Sequence, residues 1–353
     1  MSITSIEWVA GPNGERGHTV NPIRARNLET GAVGHFCEKI SPGCTNCYAS
    51  DWNERVRPQA SGKLIGTGLT FDARNRDKVE CFLDESKLNE VLRKRKPTRW
   101  FWCDMTDMFG AWVPDEWLDR MFAVMALTPQ HTHLVLTKRA ERMRAYFDLL
   151  TEEPRNGVVH RLDLRERIDD EAGNFGACHA NVDAPGRWPL PNVRLGVSVE
   201  DKARAERFDV VCELGERGWN TMVSMEPLLD DVEIPARYLA LGSRAWVIPG
   251  GESGRRARAC NVAWVRRPVQ QCKAAGVAVF CKQLGAQVID QNDAGFEGDT
   301  PHSWPMDTDT RSLTAQGWQG DPVRVLLRDK KGGTPEEWPP DLRIRQFPRS
   351  ETP

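Results

Sequence analysis

Apolar residues fall in short runs along this chain, each run ending in polar residues and giving way to a stretch with helical spacing. "RWFWCDMTDMF" (99–109) predicts a strand leaving at Asp104. "PDEWLDRMFAVMAL" (114–127) predicts the helix after it, with Pro114 in the first turn and Trp117, Met121, Val124 and Met125 at helical spacing. The alternation returns in "HTHLVLTKR" (131–139) with "AERMRAYFDLL" (140–150). It returns again in "VRLGVSVED" (193–201) with "KARAERFDVVCELGERG" (202–218), a helix closing on Gly218. "NTMVSMEPL" (220–228), "RAWVIPGGESG" (244–254) and "VAVFCKQLG" (277–285) complete the series. The last is preceded by the helix "VAWVRRPVQQCKAAG" (262–276), in which Pro268 predicts a kink or a late start. With a first strand expected just before Cys37, about seven β units result. Buried strands alternating with amphipathic helices predict an α/β fold, either a barrel or an open doubly wound sheet.

Two regions break the rhythm. Residues 151–191 are polar and rich in Asp, Arg, Gly and Pro, which predicts an insertion or lid over one face of a 1–285 domain. Residues 286–353 carry many Gly, Pro and Asp and end in "WPPDLRIRQFP", which predicts an irregular extension packing on that domain.

Composition narrows the class. The 353 residues are 40% hydrophobic and 28% charged, ordinary values for a globular protein. A formal net charge of −2 argues against a generally basic nucleic-acid coat but leaves room for local basic stretches, of which "RKRKPTR" (93–99) and "KRAERMR" (138–144) are candidates for phosphate contacts. No run approaches the roughly 18 consecutive apolar residues of a membrane helix, and "MSITSIEWVAGPNGERGHTV" lacks the basic start and apolar run of a secretory signal. The expected location is the cytoplasm, with no membrane partner and with reduced thiols.

Seven of the ten cysteines, Cys81, Cys103, Cys178, Cys212, Cys260, Cys272 and Cys281, are dispersed and read as small buried hydrophobes. The other three gather in "FCEKISPGCTNCYAS" (36–50) as Cys37, Cys44 and Cys47. Disulfides need an even number of thiols, and a closed tetrahedral zinc site needs four ligands. A four-iron, four-sulfide cluster takes one ligand per iron, so three thiolates leave one iron open. S-adenosylmethionine fits that opening through its amino and carboxylate groups, and electron transfer to it generates a 5′-deoxyadenosyl radical. The rival is a structural zinc held by the three thiolates and His35, two residues before Cys37.

Polar residues mark each expected strand end: Asp104, Thr106 and Asp107; Thr137, Lys138 and Arg139; Ser198 and Glu200; Ser224 and Glu226; Gly250, Gly251 and Glu252; Lys282 and Gln283. In a parallel sheet or barrel these ends open onto one face, where ligands bind.

Taken in order, "VNPIRA", "CEKISPGCTNCYA", "FWCDMTDMFGAWVPDEWLDRMFAVMALTPQHTHLVLTKRAERM", "PNVRLGVSVED", "SMEPLL", "WVIPGGESG", "FCKQLG" and "WPPDLRIRQFP" resemble the phage Gp37/Gp68 family of three-cysteine-motif proteins, related to radical S-adenosylmethionine enzymes. The resemblance implies a partial (β/α) barrel of the radical S-adenosylmethionine type, with a [4Fe-4S] cluster on Cys37, Cys44 and Cys47 and S-adenosyl-L-methionine as second cofactor. It departs from the commonest pattern in spacing: six residues separate Cys37 from Cys44 instead of three, and Asn46 stands before the last cysteine. The Gly-Gly-Glu at 250–252 follows the sixth strand, not the second, so its usual grip on the methionine amino group passes to Asp104, Thr106 and Asp107. Ser198, Glu200 and Glu226 resemble the strand ends that hold the ribose and methionine groups, with Thr137 beside them, and Gly250 and Gly251 let backbone approach the adenosine. Lys138, Arg139, Glu252, Lys282 and Gln283 are left for the substrate and the chemistry.

The expected activity is a radical S-adenosylmethionine enzyme modifying a nucleic-acid base or nucleotide, of isomerase, lyase or transferase type. Its expected partners are DNA or a nucleotide and an electron donor such as flavodoxin or ferredoxin. The alternatives are a zinc-stabilised nucleic-acid-binding protein without catalysis, and a photoproduct-lyase-like repair enzyme acting on DNA.

Overall fold

A computed structural model describes residues 2–12, 15–58, 64–147, 168, 171, 189–290, 304–305, 308–312 and 323–348. Most of the 151–191 insertion, part of the 286–353 extension and Cys178 lie outside the described residues. The chain is a mixed α/β protein in two compact units. The first comprises the described residues up to Val197 with Glu213–Thr221; the second comprises Ser198–Cys212 with the described residues from Met222 onward.

In the first unit, β1 (Ser2–Ile3) pairs antiparallel with β2 (Gly17–Val20). A second, five-stranded sheet holds β3 (Ile23–Asn27), β4 (Val33–Gly34), β5 (Arg57–Pro58), β6 (Leu64–Ile65) and β7 (Val79–Leu83), in the order β5-β6-β4-β3-β7. The main sheet continues through β8 (Arg99–Trp102), β9 (Thr132–Thr137) and β10 (Val193–Ser198), with β2, β8, β9 and β10 all parallel. Their registers place Val20 beside Trp102, Trp102 beside Val135 and Leu134 beside Arg194. Trp100, Trp102, Leu134, Val135, Leu195 and Val197 are fully buried, as the continuous apolar runs demand of strands covered on both faces. Helices α1 (Tyr48–Glu54), α2 (Glu85–Leu92), α3 (Asp115–Leu127) and α4 (Ala140–Tyr146) connect these strands. Asp115 and Glu116 open α3 where the helix dipole favours negative charge, and the Thr128 hydroxyl closes it on the Val124 carbonyl at 2.6 Å.

The second unit carries β11 (Asn220–Met225) from Met222 onward, followed in parallel by β12 (Trp246–Pro249) and β14 (Ala278–Val279). Beyond them, β13 (Cys260–Asn261), β15 (Val288–Asp290), β16 (Asp309–Ser312) and β17 (Val323–Leu326) form a small mixed sheet in the order β13-β15-β17-β16. Helix α5 (Arg207–Glu216) crosses the boundary of the units in sequence, while α6 (Ala236–Leu239) and α7 (Val262–Ala275) belong to the second.

Among the described residues the main sheet has β1 and β14 as its edge strands, and they do not pair into a closed barrel. One expectation is corrected. The strand just before Cys37 is β4, two residues long and part of the five-stranded sheet; the first parallel strand of the main sheet is β2, ending at Val20. The sequence signal of β2 is weak because "GHTV" is short and carries His and Thr. No helix among the described residues is long and apolar enough to cross a membrane.

Candidate functional site

Cys37 lies in the extended segment after β4, Cys44 ends a single helical turn at Pro42–Cys44, and Cys47 immediately precedes α1. All three thiols are free and half-buried. The Ser41 hydroxyl stands 3.7 Å from the Cys44 sulfur. Burial pushes the Cys37 thiol up to about 12; Asp107 and the Cys47 and Cys44 sulfurs push the same way, and Arg139 opposes them. Burial also raises Cys47, against the backbone amides of Ser50 and Ala49 and the Lys138 ammonium.

The segment is strapped to the carboxyl ends of β8 and β9 by the polar residues between them. Cys103, at φ 59°, turns the chain out of β8. Asp104 then accepts the Asn21 side-chain amide at 2.6 Å and, through its carbonyl and carboxylate, the Tyr48 hydroxyl at 2.8 and 3.3 Å. Burial pushes the Asp104 carboxyl up, against the hydrogen bonds from Asn21, Tyr48 and Thr19. The Thr106 hydroxyl donates to the Phe36 carbonyl at 2.5 Å, one residue before Cys37. Asp107 accepts from the Thr137 hydroxyl at 2.6 Å, the Phe109 and Lys138 amides at 3.0 and 3.1 Å, and Arg139 Nη1 at 3.0 Å. Arg139 reaches on to the Glu38 carbonyl at 3.2 Å and to the Cys37 sulfur at 4.0 Å, with its guanidinium 4.7 Å from the Trp112 ring centroid. Asp104, Thr106, Asp107, Thr137, Lys138 and Arg139 thus converge with the three cysteines. Asn21, Tyr48 and Trp112 were missed; only Tyr48, adjacent to Cys47, carried a signal in the sequence.

His35 is buried, and its Nδ1 pairs with the Ile23 carbonyl at 3.1 Å. Burial, helped by Arg24, lowers it to about 3, so it is neutral at physiological pH. Among the described residues no three His, Cys, Asp or Glu side chains are set closely enough to hold a single metal ion. A lone zinc draws its thiolates to about 2.3 Å each, whereas a four-iron cluster spreads its ligands over its own width. Three free, soft sulfur donors on one segment are the kind of donor set an iron–sulfur cluster takes.

The remaining candidates lie in the second unit. Glu200 is fully buried and paired with Arg207 at 3.0 Å, and Arg207 also donates to the Ser198 carbonyl at 2.7 Å. Lys282 pairs with Glu226 at 3.1 Å. Gly251 runs so close to the Leu284 carbonyl that any Cβ there would overlap it, and Gln283 donates its side-chain amide to the Gly251 carbonyl at 2.8 Å. A Cβ on Gly250 would meet the Glu226 carboxylate at 2.7 Å. Glu252 receives both the amide and the guanidinium of Arg258, at 2.7–2.8 Å. Arg207 and Arg258 were not foreseen, since nothing in the sequence says which arginine finds which carboxylate.

The basic stretches divide. Arg93, Lys94, Arg95 and Lys96 precede β8 and so sit at the amino ends of the parallel strands, away from the cysteine segment. In 138–144, Arg139, Arg142 and Arg144 are spent on Asp107, Asp115 and the pair Glu141 and Glu213.

No curated protein matches the chain. Among solved structures, a spore photoproduct lyase mutant with one cysteine changed to serine aligns at 8% identity with a TM-score of 0.34, over 94% of this chain and 72% of that one. A family model described as "Protein of unknown function (DUF5131)" matches residues 29–324, the span that carries the cysteine segment and the ends of β8 to β12 and β14, and the chain belongs to that family.

Proposed function

We propose that this chain is a radical S-adenosylmethionine enzyme on a partial (β/α) barrel, with Cys37, Cys44 and Cys47 as the protein ligands of a [4Fe-4S] cluster. When bound, that cluster supplies one-electron reduction of S-adenosylmethionine. The observation that supports this reading is that a segment carrying three free thiols is hydrogen-bonded to the polar ends of β8 and β9. Three donors leave one iron for the cosubstrate. Around them, the protein's own residues keep the segment in place: Tyr48 and Asp104 on one side, Thr106 behind Cys37, Asp107 with Arg139 on the other. Lys138, within electrostatic reach of Cys47, is the cation available to a carboxylate there. Glu226, Gly250, Gly251, Lys282 and Gln283 are tied to one another within the second unit, and Glu252 to Arg258 there. Ser198 and Glu200 act through the backbone they fix. For the substrate we propose a nucleotide or nucleic-acid base, on the family resemblance alone, with a flavodoxin- or ferredoxin-type electron donor.

The test is metal analysis of anaerobically purified protein. About four irons and four sulfides per chain with a brown visible spectrum, all lost in Cys44→Ala, are expected. A colourless protein with one zinc would overturn the reading.

A further inference from the structure

We propose that Arg139 is not a substrate anchor but the positioning residue that sets the reduction potential of the group held at Cys37; this rests on the cluster reading above. The guanidinium is turned inward. Its side chain is 11% exposed, with Nη1 3.0 Å from Asp107 Oδ2 and 4.0 Å from the Cys37 sulfur. Nη2 stands 3.2 Å from the Glu38 carbonyl and 3.7 Å from its carboxylate, and the plane lies over Trp112. Those contacts consume the planar fork that would otherwise grip a phosphate or carboxylate.

The cradle is over-determined. Asp107, which aims Arg139, is itself fixed by the Thr137 hydroxyl and the Phe109 and Lys138 amides, and the Thr137 hydroxyl also accepts the Arg139 amide at 2.9 Å. Arg139, at the end of β9, is thereby held toward the Cys37 sulfur. An arginine does not deprotonate in a protein, so the charge beside Cys37 is permanent. One-electron reduction of a cluster adds negative charge without making or breaking a bond. A fixed cation donating to a ligand sulfur stabilises the reduced form and raises the potential.

The experiment is an EPR-monitored redox titration, with dithionite as electron source, of anaerobically reconstituted wild type, Arg139→Gln, Arg139→Lys and Arg142→Gln, with iron measured on each. Wild type and Arg142→Gln are expected to share one midpoint. Arg139→Gln should titrate at a lower potential with the same iron content, and Arg139→Lys between them. An unchanged midpoint in iron-loaded Arg139→Gln overturns the inference and leaves the cluster reading standing. Wild type without iron overturns the cluster reading, and this inference with it. For variants that fail to load, wild type labelled with ¹⁵N-arginine decides: pulsed EPR of the reduced protein should show coupling to an arginine nitrogen, and its absence overturns the assignment.

Discussion

At the scale of single residues, His133 shows how a buried polar group is made safe. Its Nδ1 accepts the Trp102 indole N–H at 3.0 Å, so its Nε2 carries the proton and donates to the Thr128 hydroxyl at 3.0 Å. Thr128 passes its own proton to the Val124 carbonyl. Protonating Nδ1 would set two donors face to face in a dry site. Burial accordingly lowers His133 to about 3, with His131 adding to the effect. An unfolded histidine binds its proton near 6.5, so between that value and about 3 the unfolded state holds the extra proton. Stability from this site is complete above 6.5 and falls on acidification by about 1.4 kcal/mol per pH unit. The stability gap between wild type and His133→Gln should therefore narrow from pH 7 to pH 4.5 in urea titrations. A gap that stays constant would show that His133 is not held neutral. Legibility at this scale was partial. The sequence marked Asp104, Thr106, Asp107 and Arg139 as polar residues at strand ends, which they are. It could not say that their hydrogen bonds close on the cysteine segment, because Asn21 and Asp104 are 83 positions apart and Arg139 and Cys37 are 102 apart.

At the scale of elements, length decided what could be read. Strands β8, β9 and β10 run four to six residues, are buried on both faces and announce themselves as apolar runs. β4, β5 and β6 have two residues each, too few for any period, so the part of the five-stranded sheet that flanks the cysteine segment left no trace in the pattern. Helix α7 was legible through its ends. The Asn261 side chain accepts the Ala263 amide at 3.1 Å, and Gly276 closes the helix at φ 68°. Pro268 sits inside, deleting one bond to the Trp264 carbonyl without ending the helix. Nothing lies within 4 Å of where a Gly276 Cβ would stand, so substitution there tests backbone conformation alone. Gly276→Ala is expected to cost about 1 kcal/mol in a urea titration, with the m-value unchanged. A neutral result would mean that the cap relaxes out of the left-handed region at no cost.

At the scale of the whole molecule, the chain leaves the first unit after Val197, returns at Glu213 and leaves again after Thr221. The returning segment supplies parts that the first unit cannot replace. Trp219 packs its ring edge-on against Phe147 at 5.1 Å, the Thr221 carbonyl accepts the buried Arg194 guanidinium at 2.8 Å, and Glu213 pairs with Arg144 at 2.9 Å. The Asn220 side chain caps the Pro191 carbonyl at 2.9 Å. A chain ending at Val197 keeps every residue of the cysteine segment and of β2, β8 and β9. It nonetheless removes Thr221 as an acceptor of Arg194 and Trp219 from the aromatic cluster around Phe147. Losing a large aromatic such as Trp219 from a core alone costs about 3–5 kcal/mol, comparable with the whole stability of a domain. The truncated chain should therefore lose near-UV circular dichroism and melt without a cooperative transition, while retaining far-UV helix signal. A sharp thermal transition with native near-UV bands in the 1–197 fragment would show that the first unit closes its core without the returning segment, and that Glu213–Thr221 only decorates it.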